Sequence, residues 1–168
     1  MDQIQRVKII TRILNKTYPK ISVPLKSRNT FTLLISVLLS AQCTDVNVNN
    51  VTKKIYPKYY KPKHFVKLGR KKIEKLIKKI GIFRIKAKSI FNLSKILVDD
   101  YNGKVPNTFD ELEKLPGVGH KTASVVMSQG FGFPAFPIDT HIHRLAQRWG
   151  LTNGKNVIQT EKDLKKLF

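Results

Sequence analysis

Residues 115–144 read LPGVGHKTASVVMSQGFGFPAFPIDTHIHR. Leu115-Pro116-Gly117-Val118-Gly119 falls between two helix-like segments. Glycines there let the chain turn tightly and bring the backbone close to a ligand. The amides of such a turn, with the first turn of the next helix, form a site for an anion. Gly-x-Gly alone is a common interhelical feature; followed at once by His120 and Lys121 it carries more weight. Lys121 stands at a helix start, where the dipole disfavours a cation. A lysine in its neutral form is a nucleophile that forms Schiff bases. Asp139 precedes a second helical run, THIHRLAQR, and reads first as its N-cap. A capping carboxylate is held rigidly, so the same group can also stabilise positive charge or accept a proton.

The composition supplies the class of partner. There are 32 Lys+Arg against 11 Asp+Glu in 168 residues, a net charge of +21. An excess of that size points to nucleic acid, and 41% hydrophobic residues argue for a folded chain. Cys43 is the single cysteine, so no intramolecular disulfide and no cysteine-rich metal site can form within the sequence. The N-terminus, MDQIQRVKIITR, lacks the apolar core of a signal peptide. The longest apolar run, Phe31–Ala41, is shorter than the roughly 20 residues that span a bilayer. The expected location is the cytoplasm, with the nucleoid the place for a bacterial chain, and no membrane partner is expected.

Outward from the hairpin, the hydrophobic spacing predicts helices and no strand. Ile4, Val7, Ile10 and Leu14 mark an amphipathic helix ended at Tyr18-Pro19, and a loop follows to about Asn29. Phe31–Ala41 is apolar nearly all round; periodicity leaves strand and helix open, and length favours helix. Thr44 and Asp45 suit the cap of a helix reaching the Pro57 region, and YYKPKHF reads as a basic, aromatic loop. Ile73, Leu76, Ile77 and Ile80 mark the next helix, stopped at Gly81. Phe83, Ala87, Ile90, Leu93, Leu97 and Tyr101 mark a longer one, closed by the Asn102-Gly103 turn. Thr108 and Glu111 form a capping box for a short helix over 109–114. Helices over 120–130 and 140–149, joined through Gly132–Pro137, and a last one from Asn156 to Phe168 complete an all-α reading.

LPGVGHKTASVV followed by IDTHIHRLAQRWG resembles the helix–hairpin–helix and Gly-Pro-Asp segments of the endonuclease III family. SVLLSAQCTDVNVN, KKIGIFRIKAKSI and YNGKVPNTFDELEKLPGVG are similar to that family in order and spacing, so the likeness covers roughly residues 5–168. The family comprises bifunctional DNA glycosylases and AP lyases that remove oxidised pyrimidines. The resemblance implies a two-lobed all-α DNA glycosylase fold. One lobe would take residues 1–20 and 134–168; the other, residues 21–133, would carry the helix–hairpin–helix at about 109–130. It implies duplex DNA with a damaged or abasic site as partner. By position, Lys121 would be the Schiff-base nucleophile and Asp139 the catalytic carboxylate. Gln42 would fill the gap left by a flipped nucleotide and Ile82 would wedge into the opposite strand, residue types suited to the task. Gly117, Val118, Gly119, His120 and His141 would meet DNA, with Asp45 and Arg144 in support. His64, His120 and His143 read as surface histidines, His120 being also in a position to contact phosphate. Relatives that only excise bases usually carry another residue at the position of Lys121, so its presence favours the lyase-competent branch.

Family members continue for about forty residues beyond the point matching Phe168 and carry a four-cysteine iron–sulfur loop there. The expectation for this sequence is therefore a C-terminally shortened second lobe, no metal and no cofactor. A monomer is expected, with self-association through uncovered terminal helices as the alternative. The competing functional expectations are a non-catalytic or decayed DNA-binding remnant and a monofunctional mismatch or alkylation glycosylase.

Overall fold

The computed structural model describes every residue except Met1, Ile21, Ser22 and Phe136. Parts of the expected 19–29 loop and 132–137 joint lie outside the described residues. Among the described residues all regular structure is helical. The chain divides into two compact units, Val23–Ala135 and the pair of terminal segments Met1–Ser22 with Phe136–Phe168.

The larger unit is built around α2 (Thr30–Ser40), in which every residue from Phe31 to Leu39 is buried. A buried strand and a buried helix have the same composition; the capping chemistry selects the helix. Asn29 accepts the Thr32 amide at 2.9 Å while the Thr32 hydroxyl accepts the Asn29 amide at 2.9 Å, a reciprocal capping box. The polar groups inside α2 are satisfied from α3 (Asp45–Ile55) and its cap, where the Tyr56 hydroxyl donates to the Thr32 carbonyl at 2.9 Å and bonds the Ser36 hydroxyl at 2.6 Å. Burial pushes the Tyr56 phenol far above its ordinary value, so it is a neutral donor at every accessible pH.

YYKPKHF is not a loop. Pro62 opens a short helix, α4 (Pro62–Leu68), a position where its missing N–H costs nothing. Phe65, 1% exposed, meets the ring of Phe31 edge-on at 5.4 Å. Gly69, at φ 72°, then separates α4 from α5 (Arg70–Leu76). The helix expected up to Gly81 ends earlier: after Leu76 the chain continues in turns, with Ile73, Ile77 and Ile80 buried and Leu76 exposed. The left-handed residue at the close is Ile82, at φ 49°, rather than Gly81. Both short helices pack on α6 (Phe83–Asp99).

The smaller unit holds α1 (Gln3–Thr17), α9 (Thr140–Arg148) and α10 (Val157–Leu164). Its core is slight: Ile138, Ala146, Leu151 and Leu164, with Val7, Ile10, Val157 and Leu167 packed around them. Polar ties supplement it, such as the Arg6 guanidinium donating to the Trp149 carbonyl at 3.1 Å. His143, expected at the surface, is half-buried and bonds the Thr160 hydroxyl through Nδ1 at 2.7 Å, tying α9 to α10.

Candidate active site

The hairpin joins α7 (Phe109–Glu113) to α8 (His120–Val125). Thr108 caps α7, accepting the Glu111 amide at 3.4 Å, and its hydroxyl donates to the Glu111 carboxylate at 2.8 Å. The reciprocal contact therefore runs to the threonine hydroxyl, where a standard capping box would use its amide. The two glycines of the hairpin differ in kind. Gly117 has φ 81°, and a methyl group there would sit 2.8 Å from Cβ of Ser89 and 3.1 Å from Cδ1 of Leu38. Positive φ and close approach both require glycine. Gly119 is the extended N-cap of α8 at φ −96°, with open space above its Cα and no side-chain cap over the helix start. Val118 between them is buried, anchoring the turn to the core, while both glycines are exposed. His120 lies stacked against Phe109 at 5.6 Å, and its Nδ1 meets the Glu113 carboxylate at 2.7 Å, so this ring braces the hairpin.

α8 was expected to continue to 130 as a regular helix; from Val126 to Gly130 it widens into a π-helical turn. Gly130 permits this against α2, since a methyl group there would lie 2.9 Å from Cγ2 of Thr30. Such turns re-aim side chains and recur at functional sites. Here the turn carries Gln129 to the wall of a cavity of about 420 Å3. Gln42, Asp45, Lys121 and Thr122 line the same cavity, with an apolar side from Leu25, Val37 and Val125. Gln42, Asp45 and Lys121, separated widely in the sequence, are thus brought together. Lys121 is exposed on the first turn of α8, and Asp45 opens α3, where Thr44 provides the cap by accepting the Asn47 amide at 3.3 Å.

Gln42 and Ile82 sit at two junctions that lie side by side: a methyl group on Gly81 would be 3.6 Å from the Gln42 carbonyl oxygen. Gln42 at φ 54° and Ile82 at φ 49° are left-handed, a conformation that costs an L-residue about 1–2 kcal/mol. Ile82 remains 50% exposed despite its apolar side chain.

Asp139 belongs to the smaller unit. It is the N-cap of α9, its Oδ1 accepting the amides of His141 at 3.0 Å and Ile142 at 2.9 Å. His141 and Arg144 are exposed on α9, three residues apart and so on one face. The sequence overlooked Thr122, Gln129 and Lys86. The first two carry no signal of their own. Lys86 did carry one, since it falls within the apolar stripe of α6.

These 168 residues do not by themselves supply the ligands of the family's iron–sulfur cluster. Cys43 is the single cysteine, where four thiolates are needed, and its Sγ accepts from Asn47 Nδ2 at 3.2 Å. Among the described residues no group of three His, Cys, Asp or Glu side chains is poised to hold a metal. No helix among them is long and apolar enough to cross a membrane.

Residues 35–168 match the HhH-GPD superfamily of base excision DNA repair proteins. Endonuclease III of Rickettsia prowazekii is 43% identical over 166 residues, covering 99% of this chain and 78% of the relative. Endonuclease III of Escherichia coli K12 is 43% identical over 167 residues, covering 99% of this chain and 79% of the relative. A solved structure of a trapped endonuclease III–DNA covalent intermediate superimposes with a TM-score of 0.92 at 43% identity, covering all of this chain and 79% of that one. Together with the hairpin geometry, these likenesses assign the chain to the HhH-GPD superfamily of base-excision DNA repair proteins.

Proposed function

We propose that the protein is a base-excision DNA glycosylase with AP lyase activity on oxidised pyrimidines, with Lys121 as nucleophile and Asp139 as its carboxylate partner. The observation that carries the reading is the cavity that gathers Lys121 with Gln42 and Asp45 next to the hairpin. C1′ of a stacked nucleotide is hard to reach, so the nucleotide must leave the helix before attack. Gln42 and Ile82, on adjoining exposed junctions, are the groups to occupy the space it vacates and to wedge the opposite strand. The neutral Lys121 amine attacks C1′; the C1′–N bond breaks and its electron pair leaves with the base, which takes up a proton. Loss of the amine proton and opening of the sugar ring give the imine. Removal of a C2′ proton then expels the 3′-phosphate by β-elimination, and water releases the lysine. Asp139, locked by its two amide contacts, suits a role as stabiliser of cationic sugar character or as proton acceptor. The hairpin amides and the exposed His141 and Arg144 supply backbone contacts.

The partner in this reading is duplex DNA with a damaged or abasic site, bound by a monomer in the cytoplasm or nucleoid. Self-association, if it occurred, would run through exposed apolar residues such as Ile4, Leu14 and Phe168. Borohydride should trap a covalent complex on abasic duplex, and Lys121→Gln should abolish it with the melting temperature unchanged. Trapping that survives the substitution would move the nucleophile elsewhere. Base release with nicking only after alkali would make the protein a monofunctional glycosylase. Binding that weakens with salt by about −0.9 per phosphate contact, without base release or cleavage, would make it a binding remnant.

A further inference from the structure

Lys86 is 4% exposed in a chain whose other lysines are largely solvated. Its Nζ donates to the Leu39 carbonyl at 2.9 Å and to the Ala41 carbonyl at 2.5 Å. These lie at the C-terminal end of α2, where carbonyls have no intrahelical partner and the dipole favours a cation. Ala41 is the residue immediately before left-handed Gln42. The amide of Lys86 donates to the carbonyl of left-handed Ile82 at 3.2 Å. That main-chain bond is the ordinary first bond of α6, so Lys86 stands one turn into the helix that Ile82 opens, and its side chain ties that helix start to the end of α2 just before Gln42. Asn47 makes a second tie between the same segments, its Nδ2 donating to Cys43 Sγ at 3.2 Å and to the Lys79 carbonyl at 3.1 Å.

A buried ammonium is a costly way to fill space, and burial draws its pKa below the ordinary lysine value, partly offset by the nearby Cys43. An apolar side chain would fill the position without that cost but would leave two carbonyls at a helix end without donors. Neither Gln nor Ile selects the left-handed region by itself, so their conformations depend on what surrounds them. We infer that Lys86 is a positioning residue that fixes Gln42 and Ile82 in register with each other for entry into the duplex. The inference rests on the roles proposed above for those two residues.

The test is a double-mutant cycle. The readout is the ratio of affinities for duplex carrying a tetrahydrofuran abasic analogue and for intact duplex, at fixed salt. Gln42→Ala should lower this ratio, on the order of tenfold, and Lys86→Met should lower it comparably, with the double variant little worse than either, as expected for coupled groups. Affinity of the Lys86→Met variant for intact duplex should stay nearly that of the parent. Lys86→Gln, which keeps an amide donor, should recover part of the loss. Additive losses, or a Lys86→Met variant that weakens binding to both duplexes alike, would leave Lys86 a merely structural lysine and overturn the inference alone. An unchanged ratio in Gln42→Ala would overturn the role of Gln42 and the inference with it. If Lys86→Met does not fold by circular dichroism, Lys86→Gln and Asn47→Ala replace it, and both must then couple to Gln42→Ala for the inference to stand.

Discussion

Gly117 and Gly119 look equivalent in Gly-x-Gly, yet the structure makes them fail differently. Alanine at Gly117 must adopt φ 81°, which costs about 1–2 kcal/mol for an L-residue. Its methyl would also overlap Cβ of Ser89 at 2.8 Å, and Cβ is not the mobile end of a side chain. Overpacking of that kind adds about 1–3 kcal/mol. The sum, roughly 2–5 kcal/mol, is a large share of a total of about 5–15 kcal/mol. For a chain of this size it corresponds to a fall in melting temperature of roughly 4–20 °C. Gly119→Ala meets no atom within 4 Å and loses only the preference of an N-cap for glycine over alanine, less than about 1 kcal/mol. If DNA phosphate lies on the open face of that residue, the methyl will obstruct it, and affinity for duplex should fall at least about tenfold while stability holds. Urea unfolding and fluorescence-anisotropy titration of both variants separate the two effects. The reasoning fails if Gly117→Ala leaves the urea midpoint unchanged, or if Gly119→Ala binds duplex as well as the parent.

Three further outcomes are expected. Asp139→Ala removes the acceptor for two amides and should cost about 1 kcal/mol of stability; Asp139→Asn, which keeps the cap without the charge, should retain stability and still lose lyase activity, measured by strand cleavage beside a thermal melt. Ser94 is fully buried in α6 and its hydroxyl has no hydrogen-bond partner among the described residues, so Ser94→Ala should be neutral or stabilising by up to about 1 kcal/mol in urea unfolding; a loss above that would reveal an unrecognised bond. His64 is held below its ordinary value first by burial and then by Lys63, Lys61 and Lys67. The unfolded chain takes up this proton first, so stability should fall as pH drops below about 6.5 and the loss should be complete below the folded value. His64→Gln should remove that share of the acid sensitivity, and identical pH slopes for both proteins would refute the assignment.

The parts of the molecule legible in the sequence are those decided locally. Period-3.6 spacing located α1 and α6, Asp139 announced its own helix, and Gly-x-Gly marked a turn. What was not legible depends on contacts across the chain. α4 was hidden because the packing of Phe65 on Phe31 is a contact across the chain, and its flanking lysines and tyrosines have the composition of a loop. The π-helical turn brings Gly130 so close to Thr30 that a methyl group would not fit between them, and no window around Val126 encodes that distance. His143 looked like any polar residue on an exposed helix until Thr160 was placed beside it. At the site, Lys121 stood out by its place after the hairpin, and Gln42 and Asp45 only through family likeness; their common cavity is a tertiary fact.

Lys86 was missed for a different reason. Its position in the stripe of Phe83, Ala87, Ile90 and Leu93 was visible, but in a chain with 32 basic residues a lysine is read as surface by default. The informative feature was its disagreement with its own helix face. Buried polar groups are paired, so a lysine on an apolar stripe implies acceptors on a neighbouring element. The acceptors in reach of a helix face are often the open carbonyls at another helix's end. Here that end precedes Gln42, and Ile82 lies one turn before Lys86 on α6. Left-handed, non-glycine residues at both places are what an enzyme needs if it must keep an amide and an apolar side chain standing outward with no duplex bound. Such side chains would otherwise fold back onto the protein surface, and the ordering would have to be supplied at each encounter with DNA. In the inference drawn for Lys86, a buried cation bound to the carbonyls before Gln42 and carried on the helix that Ile82 opens moves that ordering into the folding of the protein.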